Sequence, residues 1–338
     1  MARVLVTGAN GFIGSHLVRA LVARGDDVTC LVQKTSRIDR LQPLRARLVY
    51  GDVTDPDSLP AAVAGNQLVY HLAGCNQALR VRQFYQVNQQ GARNVVCVCA
   101  AQSTPPVILW VSSLAAAGPA PRGRLRAEAD PLVQVSHYGR SKRAGEQAAE
   151  EFADRMPITI VRPPMVFGEA DHQSLAIFRP VARVGVHVVP GLGRDRFSLI
   201  HVADLIHLLI LAAEWGTRLK PAGRDGPSSQ GYYFAACPEH PTYAELGRMI
   251  GTALGRRRVL VLFTPPMATW LTAAAAEAIA RGSRRPFSFN FDKAREARAG
   301  SWLCSPQRAV DELGFSVAAP LADRLRQTAQ WYRENGWL

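Results

Sequence analysis

The amino-acid sequence predicts an α/β protein built on a doubly wound parallel sheet with helices on both faces. Two observations support this fold class. The first half of the chain alternates short, almost continuously apolar segments with amphipathic segments of helical length. The apolar segments have the composition of strands buried on both faces, which is typical of parallel sheets. A sheet of this kind binds its ligands at the carboxyl ends of its strands.

Six buried strands are expected in this first half. They are "RVLVTG" (3–8), "DVTCLV" (27–32), "ARLVYG" (46–51), "QLVYHLAG" (67–74), "PVILWVSS" (106–113) and "ITIVRPP" (158–164). The amphipathic segments between them include "SHLVRALVARG" (15–25) and "FYQVNQQGARNVVCVCAAQ" (84–102). Residues 1–165 are therefore predicted to form the first domain.

After residue 165 the alternation gives way to Pro- and Gly-rich loops with isolated strands and helices. The segment 242–255 opens with a T-x-x-E capping box and predicts a helix, and 321–335 predicts the last helix. Residues 166–338 are predicted to be mainly a smaller α/β substrate subdomain. Segments around 198–216 and 231–236 are expected to return to the first domain.

The longest apolar segment covers residues 259–287. Pro265, Pro266 and Glu277 interrupt it, and its apolar part is too short to span a bilayer. A core helix of the subdomain is the favoured interpretation. The alternative is an interfacial helix with a basic flank, which would give a peripheral membrane contact.

Composition and charge restrict the functional classes. The formal net charge is +13, but only four of the 40 basic residues are lysines, and the basic clusters at 256–258 and 280–286 are short. No nucleic-acid-binding motif accompanies them, so no nucleic-acid partner is expected. The six cysteines lack metal-ligand spacing, so neither a metal nor a disulfide framework is expected. The first residues run straight into a strand with no signal peptide, which predicts a cytoplasmic location, with membrane association left open.

A glycine-rich stretch, "VTGANGFIGSHL" (6–17), lies where the first strand turns into the first helix. Gly8 would allow the tight turn, Gly11 would let the backbone approach a pyrophosphate, and Gly14 would permit close helix–strand packing. The helix N-terminus would add N–H donors for the same anion. The stretch therefore predicts a dinucleotide site.

A second stretch, "SHYGRSKRAGE" (136–146), sets Tyr138 and Lys142 one helical turn apart. When the stretch is taken alone, an exposed helix face explains such a pair slightly better than a catalytic role does. Further motifs follow in order along the chain: "GDVTD" (51–55), "HLAG" (71–74), "VNQQGARN" (87–94), "VSS" (111–113), "RPPMVFG" (162–168), "SLIHVADL" (198–205) and "AVDELGF" (309–315).

Together these motifs resemble the extended short-chain dehydrogenase/reductase family over nearly the whole chain, nearest its dihydroflavonol reductase and 3β-hydroxysteroid dehydrogenase branch. The resemblance implies a Rossmann-type fold, a nicotinamide dinucleotide cofactor and a homodimer. It also implies that Tyr138 is the general acid/base, with Lys142 and the positively charged nicotinamide favouring its phenolate.

The resemblance implies two further catalytic residues. Ser113 would hold the substrate oxygen, and it is preferred over Ser112 because Gly118 follows it by five residues, as in the family pattern. Asn88 would maintain local helix geometry or relay protons, or it is simply a buried amide that satisfies backbone groups.

Cofactor contacts are implied at the ends of the strands. They are Gly8, Asn10, Gly11, Phe12, Ile13, Gly14, Asp52, Val53, Leu72, Ala73, Gly74, Tyr138, Lys142, Pro163, Pro164 and Val166. NAD-specific members carry an acid after the second strand, which this chain lacks. Gln33, Lys34, Ser36 and Arg37 stand there instead and suit a 2′-phosphate, so NADP(H) is favoured over NAD(H).

Three functions remain open. The favoured one is oxidoreduction between a ketone and a secondary alcohol on a largely hydrophobic small molecule. A nucleotide-sugar epimerase or dehydratase with tightly bound NAD is the alternative, although the Arg–Asp pair of such enzymes is replaced by Phe197 and Ser198, with Arg194 or Arg196 as substitutes. Ala117, where sugar epimerases carry an aromatic residue, is expected to leave space for a bulky apolar ligand. A non-catalytic sensor or structural subunit is the third function, disfavoured because the Ser, Tyr and Lys are all present.

Overall fold

The computed structural model of the chain describes residues 1–191, 193–221, 228–283 and 290–338. Its strands are β1 (Arg3–Thr7), β2 (Asp27–Val32), β3 (Arg47–Tyr50), β4 (Leu68–His71), β5 (Val107–Val111), β6 (Ile158–Arg162), β7 (Met165–Phe167), β8 (Val186–Pro190), β9 (Leu199–His201), β10 (Tyr232–Phe234) and β11 (Leu260–Thr264). Seven of them form one parallel sheet in the order β10-β6-β5-β4-β1-β2-β3. This is the doubly wound order, with its switch point between β1 and β4.

The helices are α1 (Phe12–Ala23), α2 (Pro60–Val63), α3 (Val81–Tyr85), α4 (Ala92–Ala100), α5 (Leu114–Ala117), α6 (His137–Glu150), α7 (His172–Val184), α8 (Val202–Trp215), α9 (Tyr243–Ala253), α10 (Pro266–Ser283), α11 (Phe291–Arg298), α12 (Gln307–Leu313) and α13 (Leu321–Glu334). A short 3₁₀-helix covers Pro56–Ser58, and a π-helix covers Gln86–Gly91. Buried apolar residues fill both faces of the sheet, and a separate cluster forms the core around α7, α9 and α13.

The predicted fold class is confirmed, and all six predicted strands are present. Several of them end earlier than the apolar pattern indicates: the fourth stops at His71 and the fifth at Val111. The residues that follow leave the sheet as loops, because a ligand site at the strand ends needs backbone that is not paired in the ladder. The apolar pattern therefore predicts the strands well but extends into the site.

The predicted helix 84–102 is not continuous. The structure divides this region into α3, the π-helix and α4. A π-helical turn widens the helix locally and is common at functional sites. Here it contains Asn88, one of the predicted site residues.

Two later segments of the chain contact elements of its first half. β10 pairs with β6 at the edge of the large sheet, and α8 packs against β5, β6 and α1. The predicted helices at 242–255 and 321–335 are α9 and α13, and the capping box of Thr242 and Glu245 is formed. The division of the chain at residue 165 into two domains stays a prediction.

The interpretation of 259–287 as a single core helix is wrong. Its first part is strand β11, which pairs in parallel with β8, and only Pro266–Ser283 is helical, while residues 284–287 lie outside the described residues. Helix α10 buries Thr269, Ala273 and Ala280 but leaves Met267 and Leu271 73% and 66% exposed. Across the described ranges, no helix has both the length and the apolar character needed to cross a membrane.

Candidate active site

The glycine stretch forms a tight connection between β1 and α1 at the switch point of the sheet. Gly8 has φ +69°, and a Cβ added there would lie 2.7 Å from the Ala73 nitrogen. A Cβ on Gly14 would lie 2.1 Å from the Gly8 carbonyl oxygen. Gly11 is the N-cap of α1 and makes no side-chain cap, so the first N–H groups of the helix face outward without a protein side chain on them. This geometry fits a dinucleotide pyrophosphate at the N-terminus of α1.

The loop after β4 lies directly beside Gly8. Thr7 Oγ1 accepts the Ala73 N–H at 3.2 Å and lies 2.9 Å from Nδ1 of His71. Burial, with a smaller effect of Lys142, lowers the pKa of His71 to about 3, so its imidazole is neutral. His71 is therefore a packing residue, and the Thr7–His71 contact fixes residues 72–74 against the glycine stretch. Asn10, Phe12 and Ile13 are partly buried around Gly11.

The residues predicted to hold the adenosine end lie after β2 and β3. Gln33 Nε2 donates to Asp52 Oδ2 at 2.7 Å, while Asp52 Oδ1 accepts from the backbone N–H and hydroxyl of Thr54. Val53 is buried. Lys34 and Arg37 are exposed, and no ion pair within the described ranges involves either. Two exposed cations, Lys34 and Arg37, therefore follow β2 in the same part of the site as the hydrogen-bonded side chains of Gln33 and Asp52.

Helix α6 carries Tyr138, Lys142 and Glu146 at intervals of four residues, so the three side chains lie on one face. The two glycines that flank them allow close backbone contacts. A Cβ on Gly139 would lie 2.4 Å from the Ala115 carbonyl oxygen, and one on Gly145 would lie 2.1 Å from the Asn88 carbonyl oxygen. The helix is thereby held against both α5 and the π-helix. The sequence shows these glycines, but their partners are visible only in the structure.

Tyr138 lies close to Ser113, because α6 packs against α5 at Gly139 and the Ala115 carbonyl oxygen. Ser113 is the N-cap of α5, where its Oγ accepts the Ala115 N–H at 3.1 Å, and it is partly exposed, whereas Ser112 is buried. Burial raises the pKa of Tyr138, and the ammonium of Lys293 and the nearby hydroxyl of Ser113 act in the opposite direction.

Lys142 is buried beside the loop that follows β4. Its Nζ donates to the Val111 carbonyl oxygen at 2.9 Å, and burial lowers its pKa to about 8. A Cβ on Gly74 would lie 3.6 Å from this Nζ. The ammonium thus reaches the backbone where the resemblance expects the nicotinamide ribose.

Asn88 is buried in the π-helix with its amide fully engaged. Its Nδ2 donates to the Cys75 carbonyl oxygen at 2.8 Å and to Ser141 Oγ at 2.9 Å, while its Oδ1 accepts the Cys75 N–H at 2.7 Å. Both amide hydrogens are therefore used within the protein. Of the expected roles, this geometry favours the maintenance of local structure, because Asn88 ties the loop after β4 to α6.

The residues expected at the nicotinamide end follow β6. Pro163 is buried and its carbonyl oxygen accepts the Leu114 N–H at 2.8 Å, next to Ser113. Pro164 is partly buried, and Val166 pairs with Ile200 between β7 and β9. The structure thus brings the predicted catalytic residues and both ends of the predicted cofactor site to one edge of the sheet.

A buried ion pair anchors α6, and sequence reasoning missed it. Arg162 Nε and Nη2 donate to Glu146 Oε1 and Oε2 at 2.8 and 2.7 Å, and both side chains are buried. The guanidinium also lies 4.2 Å from the ring centroid of Tyr232. The available signals were the arginine of "RPPMVFG" and the position of Glu146 one turn after Lys142.

Helix α11 also contacts this site, and no motif predicted it. Asp292 Oδ1 and Oδ2 accept the backbone N–H groups of His137 and Tyr138 at 2.8 and 2.9 Å. Glu296 accepts from the N-cap hydroxyl of Ser136 at 2.6 Å, and Lys293 Nζ lies 5.2 Å from the Tyr138 ring centroid. The one available signal was a lysine in a chain that otherwise uses arginine.

The positions used to compare a sugar-nucleotide substrate with a hydrophobic substrate give a mixed result. Arg196 donates to the His240 carbonyl oxygen at 2.8 Å and lies 3.8 Å from Glu245, so its guanidinium is engaged. Phe197 is partly buried and Ser198 is buried. The expectation for Ala117 is wrong: it is fully buried in a cluster with Phe234, Cys304 and Trp302, so it leaves no open space for a ligand.

The six cysteines are free, and the described residues contain no group of three or more His, Cys, Asp or Glu that could hold a metal ion.

Comparison with known proteins gives the same assignment. The profile of the NAD dependent epimerase/dehydratase family matches residues 4–223. The chain is 32% identical to the ceramide reductase of Caulobacter vibrioides, over 99% of this chain and 96% of that protein. It is 28% identical to a 3β-hydroxysteroid dehydrogenase/Δ5→4-isomerase of Mycobacterium tuberculosis, over 80% and 74%. The crystal structure of the dTDP-glucose 4,6-dehydratase DesIV from Streptomyces venezuelae, with NAD and TYD bound, superposes with a TM-score of 0.77 at 22% identity, covering 99% of this chain and 98% of that one. The chain therefore belongs to the NAD-dependent epimerase/dehydratase family and is an enzyme of the extended short-chain dehydrogenase/reductase type.

Proposed function

We propose that this enzyme interconverts a ketone and a secondary alcohol on a largely hydrophobic small molecule. The observation that carries the proposal is the packing of α6, which carries Tyr138 and Lys142, against α5, whose N-cap is Ser113, at the carboxyl edge of the sheet. A bound nicotinamide dinucleotide would supply or accept the hydride. Every other part of the reaction would depend on side chains of this chain.

In this proposal Ser113 and Tyr138 both contact the substrate oxygen. The Ser113 hydroxyl donates a hydrogen bond to that oxygen and stabilises the charge that develops on it. Tyr138 gives its proton to the oxygen when a ketone is reduced and takes it back when an alcohol is oxidised. Lys142 orients the ribose near Gly74, and Asn88 keeps α6 and the loop after β4 in register.

A hydrophobic substrate is supported by the relatives. The two described above are a ceramide reductase and a hydroxysteroid dehydrogenase, whose names specify apolar molecules. Arg196, a candidate for binding a sugar-nucleotide pyrophosphate, contacts the His240 carbonyl oxygen and Glu245 but is 53% exposed, and Arg194 is exposed as well. Nucleotide-sugar epimerisation or dehydration stays the second candidate, because DesIV shares the fold.

We propose NADP(H) as the preferred cofactor. The exposed ammonium of Lys34 and guanidinium of Arg37 would bind the 2′-phosphate of NADP(H). Gln33, which is hydrogen-bonded to Asp52, occupies the position where an acidic side chain would repel that phosphate. Substitution of both cations by serine is expected to raise the KM for NADPH at least tenfold and leave the KM for NADH nearly unchanged.

We also propose a peripheral membrane contact through β11 and α10. Leu260 and Phe263 of β11 are more than half exposed, as are Met267 and Leu271 of α10. Arg257 and Arg258 are exposed directly before β11 and would attract an anionic lipid surface. The homodimer and the cytoplasmic location expected from the sequence stay predictions.

The test is an assay of the purified protein with NADPH or NADH and a panel of keto-sphingolipids, 3-ketosteroids and long-chain aliphatic ketones. Turnover of at least one ketone is expected, with Tyr138→Phe at least about a hundredfold slower and equally able to bind cofactor. Nucleotide released by denaturation is identified in parallel. Near-stoichiometric NAD that survives dialysis, with turnover of a sugar nucleotide and none of any ketone, would establish the second candidate instead.

A further inference from the structure

We propose that Lys293, on helix α11 of the C-terminal half, is a positioning residue for the reaction at Tyr138. Its ammonium lies 5.2 Å from the Tyr138 ring centroid, on a helix separated from α6 by about 150 residues of chain. The inference rests on the proposed function, because it assigns a role to Lys293 in the proton transfer by Tyr138. In this inference, residues at the edge of the sheet and residues of α11 together form the active site.

Four hydrogen bonds hold Lys293 and its neighbours on α11 in this place. Its Nζ donates to Glu296 Oε2 at 2.7 Å, and the other oxygen of Glu296 accepts from Ser136, the N-cap of α6, at 2.6 Å. Asp292, next to Lys293 in the chain, accepts the N–H groups of His137 and Tyr138. The ammonium is therefore fixed relative to the first turn of α6, where Tyr138 lies.

A cation in this position stabilises the phenolate that Tyr138 must form in the oxidation direction. An ammonium within about 6 Å of an aromatic ring is attracted to the ring face, and a nearby positive charge favours the ionised phenol. The effect is needed because burial of the hydroxyl has the opposite influence. Lys142, one turn away, donates to the Val111 carbonyl oxygen and lies at Gly74. The two lysines therefore act on different parts of the site.

The charged and titratable groups that face Tyr138 come from three elements. Helix α11 contributes Lys293 and Glu296, with Asp292 on the backbone of Tyr138, and the loop after β4 contributes Cys75. Lys142 is on α6 itself. Glu296 and Cys75 raise the pKa of Tyr138, whereas Lys293 lowers it. Phe84 packs at 6.1 Å between ring centroids and carries no charge.

The choice of lysine is itself informative. The chain has four lysines against 36 arginines, and two of the four, Lys142 and Lys293, lie at this site. An ammonium is a compact charge on a flexible stem, while a guanidinium needs a planar set of acceptors. Next to a ring face and a single carboxylate oxygen, the geometry suits lysine. A general preference for arginine elsewhere in the chain makes this exception a sign of function.

The test is direct titration of Tyr138 in Lys293→Met, with Lys220→Met as the matched control because Lys220 is exposed and remote in the fold. Tyrosinate absorbance is recorded against pH for each protein and for the same protein carrying Tyr138→Phe, so that the difference reports Tyr138 alone. We expect the midpoint of Tyr138 to rise by about one pH unit or more in Lys293→Met. It should stay unchanged in Lys220→Met and return most of the way in Lys293→Arg.

A structural role and an electrostatic role give different results in the double variant. Lys293→Met leaves Glu296 unpaired beside the phenol, so Lys293→Met with Glu296→Gln should recover part of the shift if charge is the cause. If Lys293→Met does not fold, Lys293→Gln keeps a donor for Glu296 without the charge and gives the same measurement. A folded neutral variant whose Tyr138 midpoint equals that of the wild type would overturn the inference.

The titration needs no substrate, so it separates this inference from the proposed function. A shifted midpoint without turnover of any ketone by the wild type would retain the electrostatic contact and refute the proposed reaction. When a ketone is turned over, the ascending limb of the pH profile for alcohol oxidation in Lys293→Met should move to higher pH by the same interval as the titration, because the phenolate of Tyr138 is the base in that direction. Turnover in both proteins with identical pH profiles would refute the inference and leave the proposed reaction intact.

Discussion

The glycine stretch near the start of the chain and helix α11 near its end both contribute to the proposed active site, but their contacts with it differ. Around β1 and α6 the contacts are between backbones: Gly14 lies against the Gly8 carbonyl, and Gly145 lies against the Asn88 carbonyl. Around α11 the contacts are from side chains, with the carboxylates of Asp292 and Glu296 on the first turn of α6. The glycine contacts form only where no side chain is present, whereas the contacts of α11 are made by its side chains.

The two regions also differ in how much apolar surface they leave exposed. The sheet is covered on both faces by buried clusters, whereas β11 and α10, which lead to α11, leave large apolar side chains exposed. Close backbone contacts require glycine at fixed positions, so the region that contains them has a recognisable sequence motif. Contacts from a few polar side chains can be made by many different sequences, so the region around α11 has almost no recognisable motif. The following predictions test this difference, beginning with the largest effect.

Arg162→Met is expected to cost the most stability. It would leave the Glu146 carboxylate buried and without its main partner, and the removal of one member of a buried pair costs about 3–5 kcal/mol. The exposed pair of Arg326 and Asp323 provides the control, since Arg326→Met should cost less than about 1 kcal/mol. Urea unfolding measures both. Equal losses in the two variants would show that the buried pair does not anchor α6.

Gly145→Ala is expected to cost about 2 kcal/mol and most of the activity, because the new Cβ would lie 2.1 Å from the Asn88 carbonyl oxygen. The control is Gly282→Ala on α10, where nothing lies within 4 Å of an added Cβ and alanine should be neutral or stabilising. Thermal unfolding and ketone turnover are measured for both. A fully active Gly145→Ala protein would contradict the role assigned to this backbone contact.

Asp292→Ala is expected to cost about 1–2 kcal/mol, since it removes the acceptor of two N–H groups at the start of α6. Because Lys293 would be less well held, kcat should fall more than KM rises. Asp323→Ala, an exposed acid in the first turn of α13, is the matched control and should change neither. A loss of stability with unchanged kcat would limit Asp292 to a structural role.

The smallest effect on stability is expected on the exposed apolar surface. Substitution of Met267 and Leu271 by aspartate should change the free energy of unfolding by about 0.5 kcal/mol or less, because both side chains are largely exposed. The same variant should lose cosedimentation with phosphatidylglycerol-containing vesicles. Val310→Asp, at an exposed position on α12, should sediment like the wild type. Vesicle binding that is equal in all three proteins would refute the membrane contact.

Local patterns carried most of what could be predicted. The strands of the large sheet follow from continuous apolar runs, because burial on both faces is visible residue by residue. The turn at Gly8 and the placement of Tyr138 and Lys142 on one helix face also depend only on neighbouring residues. Where the apolar pattern was used alone, at 259–287, it misjudged the segment, since pairing with β8 makes the first part a strand.

By itself, then, the sequence determined the fold class, the dinucleotide site and the Tyr–Lys helix, because each is encoded in residues close together along the chain. Only the tertiary structure decided which groups surround Tyr138. The hydroxyl of Ser113, the carboxylates of Asp292 and Glu296 and the ammonium of Lys293 come from elements far apart in sequence. The tertiary structure likewise decided that Ala117 is buried against Phe234 and Trp302, which leaves no open space for a ligand beside it. Contacts of this kind depend on how elements pack, and packing follows from the whole chain at once and from no single motif.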